Sequence, residues 1–333
     1  MQPGKGATTE ERPDIGPAPR RESPKFQPNS VVGSGPRAGT PRKRGISSAY
    51  AFLTPWMLGL VFITLGPLLA SLYLSFTDYN LLSSPNWIGF ENYRRMFTED
   101  PRFLKSLAVT FTYVLVSVPL QLALALALAL VLNKGIRGLA LYRSAFYLPS
   151  LIGGSVAVAI LWRQIFGGEG LINELLATIG LEGMPGWISN PQTALGTLII
   201  LNVWTFGSPM IIFLAGLRQI PAELYEQGSI DGVGMFGRLR YITLPMLSPI
   251  IFFNLVLQVI GAFQAFTPAF VVSGGTGGPV DSTLFYTLYL YERGFINFEM
   301  GYASALGAVL LVIIGVLTAL NFYASKRWVH YND

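Results

Sequence analysis

The stretch ELYEQGSIDGVGMFGRLRYITLP, residues 223–245, concentrates charge and glycine in the middle of an otherwise apolar chain. Its acidic residues are Glu223, Glu226 and Asp231; four glycines interrupt it, and two arginines lie near its end. Long apolar runs lie on either side. Charged side chains are costly inside an apolar phase, so we infer that this stretch lies outside the phase that surrounds its neighbours.

The composition indicates that water is not the only solvent of this protein. Of its 333 residues, 51% are hydrophobic and 12% are charged, and the mean hydropathy is +0.48. Soluble domains carry about 25% charge. The chain has no cysteine, which excludes disulfides and thiolate chemistry. The single histidine, His330, cannot form a metal cluster or a catalytic triad alone, so the sequence offers no enzyme active site.

Six segments are long and apolar enough to cross a membrane as helices. They cover residues 49–76, 106–132, 140–166, 193–216, 246–272 and 298–324. The second contains the alternation QLALALALALVL, but both alternating positions are apolar and the run is long, so we predict a helix. Several spans contain proline, which membrane helices tolerate where neighbouring groups satisfy the backbone.

The distribution of positive charge predicts the orientation of these spans. Residues 1–48 hold nine Lys/Arg and four Asp/Glu, lack apolar periodicity, and are expected to form a disordered tail. If both ends of the chain lie on one side, that side carries 17 Lys/Arg and the other carries 6. The positive-inside rule then makes both termini cytoplasmic. The net charge of +5 therefore reflects topology and not a nucleic-acid partner.

The connection at residues 217–245, called here the charged segment, is too long and too patterned for a plain loop. Pro221 suits a first helical position, and Glu223 and Glu226 suit the first turns of a helix. Asp231-Gly232 is a turn signal. We predict two short helices joined at Gly232, with an intermittent apolar face formed by Leu224, Ile230, Val233, Phe236 and Leu239. Pro245 and Pro249 are expected to redirect the chain into the fifth span.

Several ordered motifs resemble permease subunits of binding-protein-dependent ATP-binding cassette (ABC) importers. The stretch EQGSIDGVGMFGRLRYITLPMLSP, residues 226–249, resembles their EAA loop, with Glu226 at the acidic position, Gly232 at the glycine, and Ile242, Leu244 and Pro245 at the exit. The stretches NWIGFENYRRMF, YLPSLIGGSVAVAILWRQIFGGEGLIN and SGGTGGPVDSTLFYTLYLYERGF resemble other parts of carbohydrate permeases. This chain departs from the family at Gln227-Gly228, where two alanines are usual. Because glycine weakens a helix, the first short helix is expected to be less rigid.

The resemblance implies an all-α membrane protein with six transmembrane helices of the type I ABC importer architecture, spanning residues 49–330. It implies a multi-pass subunit of a bacterial or archaeal cell membrane that forms half of a sugar path. The implied partners are a second homologous permease subunit, two ABC ATPase subunits, an extracytoplasmic solute-binding protein and the lipid bilayer. The implied contacts with the ATPase are Glu223, Glu226, Asp231, Gly232, Phe236, Leu244 and Pro245.

Polar side chains inside the apolar spans are candidates for the substrate path, because such groups usually face a cavity or the bundle interior. The candidates are Asn202, Trp204, Ser208, Asn254, Gln258 and Gln264. In similar maltose-type permeases, amides at the positions of Asn202 and Gln264 contact sugar. The alternative is that these amides only join helices, each contributing about 1 kcal/mol or less, and this alternative is favoured for Asn254 and Gln258.

Two other functions are weighed against sugar import. One is import of glycerol phosphate esters or another small polar solute by the same kind of machine. The other is an ion-coupled secondary carrier, which requires charged residues within the spans, and the span interiors hold almost none. The chain also lacks a phosphate-binding loop of the Gly-x-x-x-x-Gly-Lys-Ser/Thr type. We therefore expect no cofactor on this chain, with ATP and Mg²⁺ bound by the ATPase subunits.

Overall fold

The computed structural model describes residues 45–135 and 137–330. The predicted disordered tail lies outside these residues, except for residues 45–48, which begin the first helix. All regular structure in the described ranges is helical, apart from an isolated bridge between Thr77 and Trp87. The prediction of an all-α protein is confirmed.

Fifteen α-helices follow one another along the described chain. They are α1 (Gly45–Gly59), α2 (Gly66–Leu74), α3 (Glu91–Thr98), α4 (Pro101–Leu132), α5 (Leu139–Ile152), α6 (Val156–Ile165), α7 (Leu171–Thr178), α8 (Ala194–Trp204), α9 (Gly207–Leu217), α10 (Ala222–Ile230), α11 (Met235–Arg238), α12 (Leu244–Phe263), α13 (Thr267–Val272), α14 (Tyr286–Tyr291) and α15 (Met300–Ser325). Wider π-helical turns join α1 to α2 at Leu60–Leu65 and α11 to α12 at Leu239–Thr243, and another follows α14 at Glu292–Ile296.

Four helices are long and apolar enough to cross a membrane, and two bent pairs bring the number to six if each pair is one span. The four are Phe52–Leu74, Pro101–Leu132, Met235–Val272 and Met300–Ser325. The bent pairs are α5 with α6 and α8 with α9. Each of the six predicted apolar segments thus corresponds to one long helix or one bent pair.

The third and fourth predicted spans are broken helices, which the apolar pattern does not reveal. The axes of α5 and α6 differ by 97°, and those of α8 and α9 by 40°. At the sharper bend Ser155 has an extended backbone, and its hydroxyl accepts a hydrogen bond from the amide of Val158 at 3.3 Å. A side chain that caps a new helix in this way stabilises the break, although every neighbouring residue is apolar or small.

The expectation that Pro245 and Pro249 redirect the chain is wrong. Residues 235–263 form one uninterrupted helical stretch that contains α11, a π-helical turn and α12. The π-helical turn Leu239–Thr243 precedes Pro245. A π-helical turn has a looser hydrogen-bond pattern than an α-helix, so it accommodates the missing N–H of a proline without ending the helix. The charged segment is therefore joined rigidly to the fifth span.

The buried core is arranged around α4, which packs against α8, α9 and α12. One face of α4 carries buried polar side chains among the apolar ones: Ser106, Thr110, Ser117 and Gln121. Phe111 of α4 stacks edge-to-face on Phe263 of α12, with ring centroids 5.1 Å apart. The start of α4 therefore lies beside the end of α12, at the opposite end of the bundle from the charged segment.

Candidate functional site

A cavity of about 260 Å³ lies at the two helix bends and is called here the junction cavity. It is bounded by α4, the α5–α6 bend, the end of α8 and the connection between α12 and α13. Its lining residues are Tyr113, Gly153, Gly154, Leu201, Asn202, Thr205, Ala265, Phe266, Thr267 and Pro268. None of these side chains is charged, and they combine aromatic rings with amide and hydroxyl groups.

A small hydrogen-bond network holds the end of α8 beside this cavity. The amide of Gln121, which is 2% exposed, donates to the hydroxyl of Thr205 at 3.0 Å and to its carbonyl at 3.2 Å. Ser150 of α5 donates to the same carbonyl at 2.8 Å and accepts from the backbone amide of Ser208 at 2.9 Å. These bonds satisfy backbone groups that the break between α8 and α9 leaves free.

Two glycines allow the broken helices to approach this closely. A Cβ on Gly207 would lie 2.4 Å from the carbonyl oxygen of Phe146, and one on Gly153 would lie 2.3 Å from the methyl carbon of Thr205. Any side chain at either position would push α5 away from the α8–α9 break. Gly154 differs, because a Cβ there would meet nothing within 4 Å.

The open polar groups of the junction cavity suit a hydroxyl-bearing ligand. Tyr113 is 3% exposed, and its hydroxyl has no hydrogen-bond partner among the described residues. Within the described ranges, the one hydrogen bond of the Asn202 side-chain nitrogen is a long contact of 3.4 Å with the side-chain oxygen of Gln121. The ring of Phe266 supplies an apolar surface. Amide and hydroxyl groups next to aromatic rings are the combination that binds both the polar rim and the apolar face of a sugar ring.

The structure separates the predicted path residues into different environments. Asn202 lines the junction cavity, whereas Gln264 lines a second, apolar cavity with Leu68 and Gly307. If the fifth span were one continuous helix through residue 264, Gln264 would lie within about a quarter turn of the direction of Asn254. However, α12 ends at Phe263, so the helical repeat does not extend to Gln264, which is exposed while Asn254 is buried.

The other candidates do not line the junction cavity. Asn254 is 1% exposed and donates to the carbonyl of Ile250 at 3.1 Å, within its own helix. Gln258 is half-buried and lines neither of these two cavities. Trp204 lies against Trp162, with ring centroids 6.0 Å apart, and Ser208 contributes its backbone amide to the network around Ser150.

Sequence reasoning missed Tyr113, Gln121 and Thr205. Tyr113 and Gln121 lie on the face of α4 that also carries Ser117, at intervals of four residues. This spacing places them on one side of a helix and would have indicated a polar stripe along the second span. Thr205 has no comparable signal, because only the break after α8 exposes its backbone.

The charged segment contains the two predicted helices and the predicted turn. Its first helix, α10, ends in a left-handed residue, Gly232, with φ of +73°. The amide of Gly232 bonds to the carbonyl of Ser229 at 3.2 Å, and that of Val233 bonds to the carbonyl of Gly228 at 2.8 Å. This pair of bonds is the Schellman motif, which requires a residue that adopts positive φ easily. The turn prediction at Gly232 is confirmed, although α10 begins at Ala222, one residue after Pro221.

The apolar residues of the charged segment face two ways and do not form one face. Leu224, Val233 and Leu239 are half-buried. Ile230 and Phe236 point outwards, with 86% and 82% of their surfaces exposed, and Met235 and Tyr241 are each 76% exposed. The acidic residues Glu223, Glu226 and Asp231 are exposed and form no salt bridge within the described part of the chain. Leu244 and Pro245 are half-buried at the start of α12.

Gly228 allows close helix packing, whereas the sequence analysis predicted only that this glycine makes the first short helix less rigid than the usual alanine would. It is the buried residue of α10, and a Cβ at this position would lie 2.9 Å from the terminal methyl of Ile242. The hydroxyl of Tyr225 lies 3.1 Å from that of Thr243, so α10 is joined to the π-helical turn on the same side. The small residue at 228 lets α10 pack closely against the start of the fifth span.

A second group of charged residues lies at the opposite end of the bundle and is called here the ionic cluster. Its members are Arg95, Asp100, Arg102, Asp281, Tyr289, Glu292, Arg293, Glu299 and Tyr302. Asp100 is 7% exposed and caps α4 by accepting hydrogen bonds from the amides of Arg102 and Phe103, each at 3.1 Å. Its carboxylate also accepts from the hydroxyls of Tyr289 and Tyr302 and lies 3.6 Å from Arg293.

The pKa of Asp100 is lowered by this environment. Burial alone acts to raise the pKa, but the hydrogen bonds from Tyr289, Tyr302 and the amide of Phe103, with the charge of Arg293, outweigh it. Arg102 forms a bidentate pair with Asp281, at 3.0 and 3.1 Å, and a further contact with Glu292 at 2.5 Å. The cluster thereby ties the start of α4 to the region between α13 and α15.

Comparison with known proteins agrees with this architecture. Residues 96–330 match the family described as "Binding-protein-dependent transport system inner membrane component". The probable ABC transporter permease protein YesP of Bacillus subtilis (strain 168) is 54% identical over 286 residues, which cover 86% of this chain and 93% of that protein. The lactose transport system permease protein LacF of Rhizobium radiobacter is 34% identical over 285 residues, covering 84% and 94%.

A solved structure with the same fold is that of a bacterial ABC transporter involved in the import of the acidic polysaccharide alginate. It has a TM-score of 0.70 and 23% identity, and the alignment covers 84% of this chain and 96% of that chain. At this identity the likeness supports the fold alone. The family match over most of the chain and the 54% identity establish that this protein belongs to the membrane-spanning permease subunits of binding-protein-dependent ABC importers.

Proposed function

We propose that this permease conducts a sugar and that the junction cavity is its half of the path, completed by a second homologous permease subunit. The observation that carries this proposal is the chemistry of the cavity, in which Tyr113, Asn202, Thr205 and Phe266 surround a space without any charged side chain. A volume of about 260 Å³ is slightly below the 300–1,000 Å³ of pockets for drug-sized ligands and suits a single sugar ring. Several similar permeases are described as transporting lactose, starch degradation products or arabinooligosaccharides.

The energy for transport comes from ATP and Mg²⁺ bound by two separate ATPase subunits. The exposed side of the charged segment supports ATP binding by separate subunits, because Ile230, Met235 and Phe236 are exposed beside carboxylates that form no salt bridge among the described residues. A surface of this kind fits a cleft on a partner protein. Since the charged segment continues directly into α12, movement of the ATPase subunits is transmitted to the end of α12, where the junction cavity lies.

The proposal includes an orientation in the cell membrane, with the charged segment and both termini in the cytoplasm. A solute-binding protein then delivers the sugar to the end that carries the ionic cluster. Because the chain lacks cysteine, single cysteines introduced at positions 90 and 232 are clean probes of this orientation. A membrane-impermeant thiol reagent is expected to label the two positions from opposite sides, and labelling of both from the same side would contradict the proposal.

A methyl group placed in the junction cavity tests the proposed path. Gly154 lines the cavity, and an added Cβ there meets nothing within 4 Å, so we expect Gly154→Ala to preserve the fold while it reduces the space for a ligand. The matched control is Gly315→Ala in α15, where an added Cβ also meets nothing and faces no part of the cavity. Uptake of radiolabelled lactose, maltotriose and arabinotriose is measured in vesicles that contain the complete transporter and its binding protein.

For each sugar that the wild type transports, we expect Gly154→Ala to lower uptake at least several-fold and Gly315→Ala to leave it unchanged. Asn202→Ala is expected to weaken uptake, because each lost hydrogen bond to the ligand contributes about 0.5–1.5 kcal/mol. Gln264→Ala is expected to have little effect, since Gln264 lines a different cavity. Normal uptake by both Gly154→Ala and Asn202→Ala would show that the contacts belong to the partner permease.

The runner-up substrate is glycerol 3-phosphate. A transport system permease protein for this ester from Pectobacterium atrosepticum is 30% identical over 288 residues. The same vesicles distinguish the two substrates, because uptake of glycerol 3-phosphate without uptake of any sugar would replace the sugar proposal.

A further inference from the structure

We infer that the junction cavity selects an acidic sugar, with the carboxylate of a uronate residue placed between the start of α6 and the hydroxyl of Tyr113. This inference rests on the proposed function and narrows its substrate class. It starts from the bend of 97° between α5 and α6, because Gly153 and Gly154 at this bend line the cavity immediately before α6 begins.

The start of α6 has free hydrogen-bond donors and a positive dipole end. Helix α6 has ten residues, with Ser155 as its cap and no acidic residue in its first turn. The Ser155 hydroxyl accepts from the amide of Val158. Among the described residues, no acceptor is found for the amides of Gly154, Val156 and Ala157. At the other end of α6, Arg163 lies in the last turn, where a cation complements the dipole. The N-terminal end of α6, where the helix dipole is positive, has no acidic residue in its first turn to complement it.

The hydroxyl of Tyr113 is the second, independent indication of a ligand. The side chain is almost completely buried at 3% exposure and lines the same cavity as Gly154, and its hydroxyl has no partner among the described residues. The hydroxyl atom itself is not sealed inside the protein, so this otherwise buried side chain presents an open hydrogen-bonding group to a ligand in the cavity. Backbone amides only donate, and a hydroxyl can donate. A group that accepts hydrogen bonds from both is therefore the complementary ligand.

A carboxylate satisfies this arrangement better than a neutral hydroxyl does. It accepts several hydrogen bonds at once, and its charge is favoured at a helix N-terminus. Discontinuous helices of membrane transporters often direct their N-terminal ends at anionic groups of substrates. No acidic side chain lines the junction cavity, so nothing there repels an anion.

The absence of lysine and arginine from the lining suits transport of an anion. A full ion pair inside an apolar bundle would hold the substrate strongly and slow its release, whereas a helix end and a hydroxyl hold it weakly. Conduction requires binding that is favourable enough for entry and weak enough for exit. The rest of the sugar ring would then contact Phe266 and Asn202, as in the proposed function.

The test compares two substitutions that differ only in charge. Serine, asparagine and aspartate are about equally good helix caps. Ser155→Asn therefore preserves the start of α6, and Ser155→Asp preserves it while adding a negative charge beside the cavity. The probes are uronate trisaccharides prepared from alginate and from polygalacturonate, each paired with the neutral trisaccharide obtained by reducing its carboxyl groups. Glycerol 3-phosphate is included as a second anion. Uptake is measured in vesicles with the complete transporter and its binding protein, so that the binding protein is constant across variants.

We expect the wild type and Ser155→Asn to take up a uronate trisaccharide, and Ser155→Asp to take it up about tenfold more slowly. Tyr113→Phe is expected to reduce uptake of the uronate more than uptake of its reduced counterpart. The inference would be overturned by equal uptake of a uronate trisaccharide in Ser155→Asp and Ser155→Asn, or by uptake of neutral trisaccharides without uptake of their uronate counterparts. If uptake of the neutral trisaccharides then falls in Gly154→Ala, the proposed function is left intact. Uptake of glycerol 3-phosphate alone, lowered in Ser155→Asp, would keep the anion site but overturn its assignment to a uronate. Uptake of none of these probes and of no sugar would contradict the proposed function itself.

Discussion

The charged segment and the ionic cluster contain similar residue types at opposite ends of the bundle, yet they treat their charges differently. In the ionic cluster Arg102, Arg293 and Glu299 each pair within the chain, and Asp100 is buried among hydrogen-bond donors. In the charged segment Glu223, Glu226 and Asp231 are exposed and form no salt bridge within the described residues. The pairing of charges thus separates a region that holds its own chain together from one that is open to a partner.

This difference gives the two regions different expected energetics. A buried carboxylate that loses its place in a network leaves its partners uncompensated, which is strongly destabilising. An exposed carboxylate without a partner contributes little to folding. Substitutions in the ionic cluster should therefore affect stability, and those in the charged segment should affect coupling to the ATPase.

The largest effect is expected for Asp100→Ala. It removes the cap of α4 and the acceptor shared by Tyr289 and Tyr302, and it leaves Arg293 with one carboxylate fewer. We expect a loss of about 3–5 kcal/mol in the free energy of unfolding, measured by chemical denaturation in detergent. Glu226→Gln is the matched control in the charged segment and is expected to change this energy by less than about 0.5 kcal/mol. Equal losses in both variants would contradict the comparison.

Gly232→Pro is expected to uncouple transport while the membrane spans stay folded. Proline cannot adopt the φ of +73° found at Gly232, and it lacks the amide that bonds to Ser229. The end of α10 and the exposed residues after it would then lose their positions, at a local cost of about 1–3 kcal/mol. Association with the ATPase and sugar-stimulated ATP hydrolysis are measured in reconstituted complexes. Wild-type coupling in this variant would show that the charged segment is only a connection.

The third prediction concerns acid. Because the pKa of Asp100 is lowered in the folded protein, its stabilising contribution is complete above the unfolded-state value of about 3.9 and is lost as the pH falls through the lower folded value. The difference in unfolding free energy between the wild type and Asp100→Asn is expected to be constant from neutral pH to about 5 and to shrink below about 4. A difference that persists unchanged at pH 3 would show that the carboxylate charge is not the stabilising feature.

The smallest effect is expected for Gly228→Ala. Alanine raises helix propensity by about 1 kcal/mol, but the new methyl meets the end of Ile242 at 2.9 Å and forces that side chain to shift. The two contributions oppose each other, so the unfolding free energy is expected to change by less than about 1 kcal/mol. Thermal unfolding is compared among Gly228→Ala, Ile242→Val and the double variant Gly228→Ala/Ile242→Val. Because the shorter side chain at 242 relieves the contact, the comparison separates the helix-propensity contribution from the packing contribution. A loss in the double variant that exceeds the sum of the losses in Gly228→Ala and in Ile242→Val would contradict the packing role of Gly228.

The sequence by itself determined the class of this protein, the positions of its apolar segments and the turn at Gly232. These features depend on local properties: a long run of apolar residues can only be a helix in a bilayer, and Asp-Gly after a helical pattern predicts a left-handed turn. The family was likewise readable from ordered motifs. For the same reason the sequence predicts Asn202 as a path residue, since an amide in an apolar run stands out without any structure, and the structure places this residue in the lining of the junction cavity.

Tertiary structure alone decided which polar residues meet. The bend at Ser155 depends on a cap and on the close approach of Gly153 to Thr205, and neither leaves a mark in the hydropathy of the third span. The end of α12 at Phe263 separates Gln264 from Asn202, and the π-helical turn before Pro245 keeps the charged segment continuous with the fifth span. The physical reason is common to these cases. Where a helix breaks is set by the backbone groups that neighbouring helices can satisfy, and those neighbours come from distant parts of the sequence.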